Sequence, residues 1–485
     1  MIRRLHMVGV LALLLAAAPA PVPAQTPRDI VVRAIAAMGG EQALRGIRAV
    51  ATDFYSVAFA LGQEETPESP ARASIQVGRI TADFAGNRRT GSFEVRTVAG
   101  AVNRLRRVTV GGIGMLETNG SLAPDQPATV AGEEASLRRA MGRLLLVALD
   151  NPATLTALPQ KAWRGAPHDG VRYATGPDTL DLYFDRRTGL PTVSVSVTDD
   201  PILGDRRTES LFTRWQETGG VRFARQSDVY VNGRLSTHSV FTAVAVNPEL
   251  PESLFAIPDS IATRAQKADP VPPPPVVTLV QLAPGVWRAE GGSHHSLVVE
   301  QPDRLIVVEA PLTSRRSQAV LDTLHARFPR KPVGMVVNTH HHWDHAGGVR
   351  AYLAAGVPVA TAIENATFVR NLGLAQKTVA PDELSRHSRP LQVQAVDDSL
   401  LVGTGDSRVI VYRLPTAHVE GMLAAYVPAV RLLFTSDVLS PAATLAPAGS
   451  KEIVAFVKAR GITVDRVAGG HGGIANWTDV EQAAQ

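Results

Sequence analysis

The chain has no cysteine, few aromatic residues and no dense cluster of charges of one sign. Without cysteine there is no disulfide, no thiolate metal ligand and no thiol nucleophile in its 485 residues. Aromatic residues make up 5% of the sequence, and 49 basic side chains are balanced by 45 acidic ones, for a formal net charge of +4. No basic tail or Lys/Arg-rich face arises from this balance, so no nucleic-acid partner is expected.

Length and composition predict a globular protein with more than one domain. Hydrophobic residues are 45% and charged residues 19% of the sequence, as in folded proteins. The chain is too long for one ordinary hydrophobic core, so we expect two or three domains. Domains of this size bury enough apolar surface to fold without disulfides, so the lack of cysteine is compatible with an oxidising compartment.

The first residues have the pattern of a secretory signal. Basic residues at positions 3 and 4 precede a short apolar run, and small residues follow it up to Ala24. We predict a signal peptide at residues 1–24 and export of the mature protein to the periplasm or the medium. A membrane anchor is the alternative, but the run is short for crossing a bilayer. No other segment is a transmembrane candidate, so no stable membrane insertion is expected after cleavage.

The sequence after the signal predicts a mostly antiparallel sheet with a few helices. Helical spacing runs from residue 29 to 38, and alternating polar and apolar residues then indicate repeated strands. The pair Asn232-Gly233 is typical of a two-residue hairpin turn. One long helix is expected at about residues 133–149. We assign residues 28–257 to a mostly β N-terminal domain.

This N-terminal domain resembles the half-barrel domains of exported lipoprotein carriers. The likeness lies in an opening helix that ends in Gly39-Gly40, followed by repeated strands. In those carriers a curved sheet wraps around an apolar ligand, so the resemblance implies a binding role for this domain. One hypothesis for the whole protein is therefore a non-enzymatic carrier of an apolar ligand.

A proline-rich stretch separates the two halves of the chain. Residues 270–275 read Pro-Val-Pro-Pro-Pro-Pro, which cannot continue a helix or a central strand and favours an extended spacer. We place the linker at residues 258–276. Over residues 277–485, strand-like and helix-like segments alternate, which predicts a layered α/β sandwich.

The densest chemical signal follows an apolar run at residues 333–337 that we interpret as a buried strand. Residues 339–345 read Thr-His-His-His-Trp-Asp-His, so four histidines and one aspartate lie within seven residues. Neutral imidazole suits zinc and related ions, and a carboxylate adds negative charge. An accidental histidine-rich tract is the alternative, but such tracts do not usually lie in mid-chain between a strand and a helix. The spacing therefore predicts a metal site.

Three later strand ends each carry another side chain of the ligand type. His418 follows a strand at 409–412, Asp437 follows a strand at 432–435, and His471 follows a strand at 464–467. Each residue alone is more often a surface or turn residue. Together with the first cluster they supply enough ligands for two metal ions.

In kind and order these residues resemble the metal ligands of the metallo-β-lactamase-fold hydrolase superfamily, namely His340, His342, Asp344, His345, His418, Asp437 and His471. The resemblance implies a four-layer αββα sandwich over residues 277–485 and two bound ions. Zinc is expected, with iron or manganese as alternatives. The first ion would be held by His340, His342 and His418. The second would be held by Asp344, His345 and His471, with Asp437 bridging the two.

Three features indicate the class of reaction within that superfamily. Members with a cysteine ligand are excluded because this chain has no cysteine. The flavodiiron redox proteins carry Glu where His342 stands, so His342 favours hydrolysis. An aspartate such as Asp437 is similar to the thioesterase, lactonase and phosphodiesterase branches. We predict that a metal-bound hydroxide cleaves an ester, lactone, thioester or lactam of a small-molecule substrate, with Asp344 as the catalytic residue that orients it. A mononuclear iron dioxygenase, similar to the persulfide dioxygenases, is the alternative.

Several neighbours of the predicted ligands are candidates for other roles. We expect His341 to point away from the ions, and Thr339 and Ser436 are candidate hydrogen-bond partners of the ligands. His294 and His295 lie between two early predicted strands. Two roles are possible for these histidines, namely contact with substrate or a place at a polar hairpin tip. The hairpin tip is favoured.

Overall fold

A computed structural model of the chain describes residues 25–98, 100–268 and 274–485. The predicted signal peptide, and residues 269–273 of the predicted linker, lie outside the described residues. Within those ranges, no helix is long and apolar enough to cross a bilayer. The strands form one large sheet in the N-terminal half and two smaller sheets in the C-terminal half.

The N-terminal half is built on a sheet in which all neighbouring strands are antiparallel. Its helices are α1 (Pro27–Ala37), α2 (Glu41–Arg45), α3 (Pro127–Arg138), α4 (Met141–Asp150) and α5 (Asp259–Gln266). Its strands are β1 (Ala49–Ala60), β2 (Arg72–Asp83), β3 (Arg88–Thr97), β4 (Val102–Val110), β5 (Ile113–Thr118), β6 (Ser121–Pro124), β7 (Leu155–Trp163), β8 (Ala166–Ala174), β9 (Thr179–Asp185), β10 (Pro191–Asp200), β11 (Gly204–Thr218), β12 (Val221–Val231) and β13 (Arg234–Val246). They pair in the order β6-β5-β4-β3-β2-β1-β13-β12-β11-β10-β9-β8-β7.

The helix predicted at 133–149 is instead two helices, α3 and α4. The chain leaves the helical conformation at Ala140, which has φ −54° and ψ 119°. This break lets α4 pack against α1 while α3 packs against β3, β4 and β5. The predicted mostly antiparallel sheet is confirmed.

A cavity of about 670 Å³ lies between α2, α4 and one face of this sheet. Apolar side chains form most of its wall, including Ile80, Phe84, Leu146, Phe212, Trp215, Phe223, Phe241 and Val244. Arg48, Arg143 and Arg222 also line it. Among the residues that the structure describes, no carboxylate lies within ion-pair distance of these three arginines. The cavity is therefore apolar inside and carries positive charge in its wall.

Helix α5 lies inside the predicted linker. Ile261 packs with Val108, Met115 and Phe255 in a small buried cluster, so this helix rests on the N-terminal sheet. Residues 259–266 are therefore packed against the N-terminal domain rather than extended. The domain boundary itself stays a prediction.

The C-terminal half contains two sheets with helices outside them. The first set of elements is β14 (Thr278–Ala283), β15 (Val286–Glu290), β16 (Ser296–Glu300), β17 (Leu305–Val308), α6 (Ser314–Arg327), β18 (Val333–Val337), α7 (Trp343–Ala346), α8 (Val349–Ala354), β19 (Val359–Ala362), α9 (Ala366–Leu374), α10 (Glu383–Arg386) and β20 (Val393–Val396). The second set is β21 (Ser399–Val402), β22 (Val409–Arg413), β23 (Leu423–Val427), β24 (Leu432–Phe434), α11 (Pro447–Arg460), β25 (Arg466–Ala468), β26 (Ile474–Asn476) and α12 (Trp477–Ala483). Strands β14 to β20 form one sheet and β21 to β26 the other, each in chain order.

These elements form four layers. Successive side chains along the strands face alternately the space between the two sheets and the helices outside them. In β24, Leu432 and Phe434 join the core between the two sheets, whereas Leu433 joins the core beneath α11 and α12. In β16, Leu297 faces the core between the sheets, and Val298 faces α6 and α8. Helices thus cover the outer face of each sheet, because both faces of both sheets are apolar. The predicted αββα sandwich is confirmed.

The two halves of the chain touch one another at defined points. The backbone N–H of Asp205 donates to the carbonyl of Gln376 over 2.7 Å, and the Asp205 carboxylate accepts a bond of 2.6 Å from the Thr378 hydroxyl. Lys377 forms an ion pair with Asp199. A second contact involves the loop between β1 and β2, residues 61–71, which lies on the site described next.

Candidate metal centre

The histidine-rich segment begins where β18 ends in the middle of its sheet. Strand β18 lies between β17 and β19 in parallel register, so the chain leaves it at a buried position. His340, His342 and His345 are all buried there. The short helix α7 follows at once, and its single turn places Asp344 and His345 next to one another. The local fold therefore brings several polar side chains together in the buried interior, where polar side chains are normally rare.

Two groups of side chains each bring four atoms of the ligand type to within 4.8 Å of one another. The first group consists of His340, His342, His418 and Asp437. The second group consists of His294, Asp344, His345 and His471. All seven residues predicted from the sequence lie in one of the two groups, divided as predicted. The structure also adds His294 to the second group. Ligand binding by these residues stays a prediction.

Asp437 lies between the two groups with one carboxylate oxygen toward each. Its Oδ1 atom is 3.0 Å from His345 Nε2 and 3.1 Å from His471 Nε2. Its Oδ2 atom is 3.4 Å from His418 Nε2. Only a carboxylate can offer an oxygen to each of two ions, and this position gives Asp437 the geometry for that role.

Hydrogen bonds on the outer side of the histidine rings fix which nitrogen faces the centre. His342 donates from Nε2 to the carbonyl of Glu64 over 3.0 Å, which leaves its Nδ1 lone pair directed inward. His471 donates from Nδ1 to the carbonyl of Ser293 over 3.2 Å, which leaves Nε2 inward. Such outer partners orient metal-binding imidazoles and select their tautomer.

The buried carboxylate of Glu309 supports two further rings. His345 Nδ1 donates to Glu309 Oε1 over 3.1 Å, and the Thr339 hydroxyl donates to the same oxygen over 2.7 Å. Thr339 Oγ1 is in turn 3.0 Å from His340 Nδ1. Thr339 and Ser436 are both predicted partners of the ligands, and Thr339 Oγ1 is 3.1 Å from Ser436 Oγ. Glu309 was not identified from the sequence, because a glutamate after a buried strand has no motif of its own.

Atoms that face the middle of the site are buried and lack a hydrogen-bond partner among the described residues. They are His294 Nε2, His340 Nε2, His342 Nδ1, His345 Nε2, His418 Nε2 and Asp437 Oδ1. Buried polar atoms are nearly always paired in native proteins, so six unpaired polar atoms around one space require an explanation. Cations placed there would satisfy all of them, and imidazole nitrogen with carboxylate oxygen is a donor set that suits zinc. The residues therefore fit the implied ions.

The two central carboxylates are held in the ionised form. Burial raises the pKa of Asp344, but its contacts with His294, His345 and Gln63 outweigh burial and hold that pKa well below its usual range. Burial also raises the pKa of Asp437, and contacts with His345, His418 and His471 again lower it below its usual range. Both groups are therefore negatively charged at neutral pH.

The pKa values of the buried histidines differ because burial and the neighbouring charges act on each ring to a different extent. Burial lowers the pKa of His342 to about 4 and holds the pKa of His340 well below its ordinary value. Burial also lowers the pKa of His345, but the charges of Glu309 and Asp437 outweigh it and raise that pKa to about 10. Negative charge thus exceeds positive charge beside His345, and a metal ion would replace the proton.

The loop between β1 and β2 of the N-terminal half lies directly against this centre. Gln63 donates from Nε2 to Asp344 Oδ1 over 2.9 Å, and the N–H of Trp343 donates to the carbonyl of Gly62 over 3.3 Å. The Glu64 side chain is buried and pairs with Arg234, which holds the loop in place. The N-terminal half therefore supplies part of the wall of the site, a role that the sequence did not predict.

Two other histidines of the cluster have different surroundings. His341 belongs to neither four-residue group, and its ring is 5.9 Å from the Phe368 ring, which agrees with the expectation that it points away. The sequence favours a polar hairpin tip for His294, but in the structure this residue is buried within the second group. The sequence left a substrate contact open for His294, but its place beside His471 could not be predicted because the two residues lie far apart along the chain.

Comparison with known families supports the prediction from the motif. The family model described as "Metallo-beta-lactamase superfamily" matches residues 289–471. This range begins in β15 and ends at His471, so it includes all seven predicted ligands. The predicted family is confirmed for this part of the chain.

Three characterised proteins match shorter stretches. A linear primary-alkylsulfatase from Pseudomonas sp. is 30% identical to this chain over 73 residues. An (R)-specific secondary-alkylsulfatase from Pseudomonas sp. is 24% identical over 134 residues. The alpha subunit of a 2,4-dinitroanisole O-demethylase from Nocardioides sp. is 28% identical over 168 residues. These matches cover 15%, 27% and 34% of this chain and 11%, 17% and 46% of the relatives. The chain thus spans less than half the length of each.

Solved structures of metallo-β-lactamases are similar to the C-terminal half. The enzyme from Pontibacter korlensis is 16% identical and has a TM-score of 0.34, with 42% of this chain and 95% of that chain covered. The enzyme from Hirschia baltica is 17% identical with the same TM-score, and 43% and 96% are covered.

Proposed function

Because residues 289–471 belong to the metallo-β-lactamase superfamily, we propose that this protein is an exported metal-dependent hydrolase with a two-zinc site. The single observation that carries the proposal is the set of orphaned inward-facing atoms on His340, His342, His345, His418 and Asp437. Membership of the superfamily supports a metal-dependent hydrolase. Two zinc ions, the substrate and export remain parts of the proposal.

The first ion would be held by His340, His342 and His418, the second by Asp344, His345 and His471, with Asp437 shared. Zinc supplies Lewis acidity, which polarises the bond to be cleaved and lowers the pKa of water. The chain's own contribution is orientation and proton transfer. Asp344 Oδ2 is the oxygen not occupied by Gln63, and we assign to it acceptance of the proton from the attacking water. Its lowered pKa keeps this carboxylate ionised at neutral pH, so it can accept a hydrogen bond from that water and orient it.

The substrate class proposed from the motif is a small ester, lactone, thioester or lactam. The alkylsulfatase relatives add sulfate esters to the compounds worth testing, although they match only short stretches. The test is a hydrolysis screen of these classes with the full chain, together with zinc and iron analysis of protein purified without added metal. Two zinc per chain with turnover supports the proposal. One iron per chain with oxygen-dependent turnover favours the iron dioxygenase instead.

Two variants address the role of the ligands. His342→Ala and Asp437→Ala are expected to abolish turnover, whereas His387→Ala, at an exposed position on the surface, is expected to leave it unchanged. Unchanged turnover in both ligand variants contradicts the hydrolase.

The cavity of the N-terminal sheet favours a second candidate function, the binding of an amphiphile. Its apolar wall fits a hydrocarbon chain, its volume of about 670 Å³ is in the range of small-molecule sites, and Arg48, Arg143 and Arg222 complement an acidic head group. This activity is compatible with hydrolysis at the other site. It is also the basis of the alternative in which the protein is only a carrier.

The matched pair Val244→Trp and Ala245→Trp tests this binding with dodecanoate, which displaces a fluorescent fatty acid. Val244 lines the cavity, and Ala245 is its exposed neighbour in β13, on the opposite face of the sheet. Weaker binding in the first variant alone supports the cavity as the site. Equal binding in both variants, or no binding by the unaltered protein, contradicts it.

A further inference from the structure

His294 is a buried histidine with one nitrogen that has no partner. It lies in the connection between β15 and β16 and is 5% exposed. Its Nε2 atom is buried and makes no hydrogen bond with any described residue. The motif that identifies the family does not include this residue.

The surroundings of His294 are those of the second predicted metal site. Nε2 is 3.5 Å from Asp344 Oδ2, and the His294 ring lies 3.8 Å from the His471 ring and 4.8 Å from the His345 ring. Ligand-type atoms of all four residues lie within 4.8 Å of one another. We propose that His294 is a fourth protein ligand of the second ion, an inference that rests on the proposed two-metal function.

The ring is turned so that Nε2 faces the centre. Ser293 Oγ lies 2.9 Å from His294 Nδ1, so the outer nitrogen is engaged by its neighbour. If Nδ1 carries the proton, the lone pair of Nε2 is free to bind a cation. This is the arrangement found for His471, which donates from Nδ1 to the carbonyl of Ser293.

The loop that carries His294 is held by a buried arginine. Arg316 is 2% exposed and donates to the carbonyls of Ala289, Gly291 and His294 over 3.0, 3.2 and 3.2 Å. No described carboxylate forms an ion pair with it, so these acceptors and the Ser296 hydroxyl are what satisfy its charge. Moving the loop would leave a buried guanidinium without partners, which is costly. The position of His294 is therefore determined by packing.

A histidine with a purely structural role looks different in this chain. His168 is 4% exposed, but both of its ring nitrogens are bonded, Nδ1 to the carbonyl of Ala166 over 2.8 Å and Nε2 to the Thr192 hydroxyl over 2.7 Å. His294 has a comparable burial and leaves Nε2 unpaired. The alternative to metal binding is that His294 forms an ion pair with Asp344. That pair would need a protonated ring and would not require a metal.

With His294 as a ligand, the two metal sites would differ in their number of protein ligands. The second ion would have four ligands from the chain, His294, Asp344, His345 and His471, besides the shared Asp437. The first would have three histidines and Asp437. Sites closed by protein ligands hold a metal tightly and leave no position for exchange, whereas catalytic sites keep a position open. The second ion would therefore have one protein ligand more than the first, which leaves fewer positions for water at the second site.

The test compares His294→Ala with the matched variant His295→Ala in zinc affinity, measured by chelator competition. His295 is the next residue in the loop and belongs to neither four-residue group. We expect His294→Ala to weaken the second zinc by about hundredfold or more, since loss of a ligand exceeds the ten- to hundredfold effect of losing a ligand's partner. The His295 variant should bind two zinc ions as the unaltered protein does.

Two additional measurements keep the test decisive. His294→Gln preserves most of the side-chain volume, and it should lose the second zinc even if the alanine variant folds poorly. Free imidazole added to folded His294→Ala should restore part of the affinity. Two zinc ions bound with unchanged affinity by the His294→Gln variant would overturn the inference and leave the two-zinc function intact. An unaltered protein that binds no metal would overturn the proposed function itself.

Discussion

Gln63 donates a hydrogen bond of 2.9 Å from Nε2 to Oδ1 of Asp344, although 281 residues separate them in the sequence. The donor belongs to the loop after β1 in the N-terminal half, and the acceptor is the carboxylate that we assign to proton transfer. One oxygen of Asp344 is thus fixed by the N-terminal half, and the other faces His294 at 3.5 Å. The two halves of the chain build one site together.

The first prediction concerns this contact. Gln63→Ala removes the donor, so the carboxylate of Asp344 is free to turn and its pKa should rise toward the ordinary value. We expect a loss in kcat/KM of about ten- to hundredfold, as found for residues that orient metal ligands. The measurement is turnover at several pH values, in which the acidic limb should move to higher pH because Asp344 is protonated earlier.

Two variants control that measurement. Gln42→Ala changes an exposed glutamine on α2 and should leave the pH profile unchanged. Gln63→Glu places a second negative charge beside Asp344 and should reduce turnover at least as much as the alanine variant. If the pH profile of Gln63→Ala equals that of the unaltered protein, Gln63 does not position Asp344.

The second prediction concerns Glu309, whose carboxylate accepts from both His345 and Thr339. Glu309→Gln removes the negative charge with little change in volume. Since that charge raises the basicity of the His345 ring, we expect zinc affinity to fall by about ten- to hundredfold. The measurement is chelator competition, and Glu290→Gln, at a partly exposed glutamate paired with Arg288, is the control expected to bind zinc normally.

The third prediction concerns Arg316, the buried arginine behind His294. Arg316→Met leaves several buried carbonyl and hydroxyl groups without a donor, and we expect the free energy of unfolding to fall by about 3 kcal/mol. Arg315→Met, one residue earlier and exposed, should change it by less than about 0.5 kcal/mol. Urea unfolding of the metal-free proteins measures both. Equal stabilities would mean that Arg316 does not hold the loop.

The fourth prediction concerns the pH dependence of stability. Burial raises the pKa of Asp382, but bonds from Arg350 and Ser385 outweigh it and hold the pKa well below its usual range. A lowered pKa in the folded state means that this carboxylate stabilises the protein above its unfolded pKa of about 3.9, and that the effect fades as the pH falls below that value. Asp382→Asn should therefore be less stable by about 2 kcal/mol at pH 7, and the difference should shrink below about pH 4.

The control for that prediction is Asp398→Asn. Its ion pair with Arg460 is solvent-exposed on the Asp398 side, so we expect a loss below about 1 kcal/mol. A stability difference for Asp382→Asn that is independent of pH would contradict the account, because it would show that the charge of Asp382 is not what stabilises the fold.

The sandwich and its seven candidate ligands were predictable because these residues resemble a known family's ligand set and because each of them follows a segment that the sequence predicts as a buried strand. Short apolar runs in the sequence predict buried strands. Residues at the ends of such strands, for example His418 and Asp437, come together at one edge of a layered fold. The residues that the sequence did not reveal depend on contacts between distant segments. His294 meets His471 only after both loops fold, and Gln63 reaches Asp344 only when the two halves pack together.

The break between α3 and α4 has a similar cause. The residues around Ala140 contain no proline, and the local sequence predicts one continuous helix. The break arises because α3 and α4 pack against different parts of the N-terminal half, which is a tertiary effect. Local propensity is a weak guide where tertiary packing opposes it.

Zinc titration of chelator-treated protein, with binding and hydrolysis followed in the same samples, tests the central claim most directly. The account predicts that two zinc ions bind per chain and that turnover of an ester, lactone, thioester, lactam or sulfate ester returns as they bind. Protein that binds no zinc, or that hydrolyses its substrate equally well before zinc is added, would contradict it.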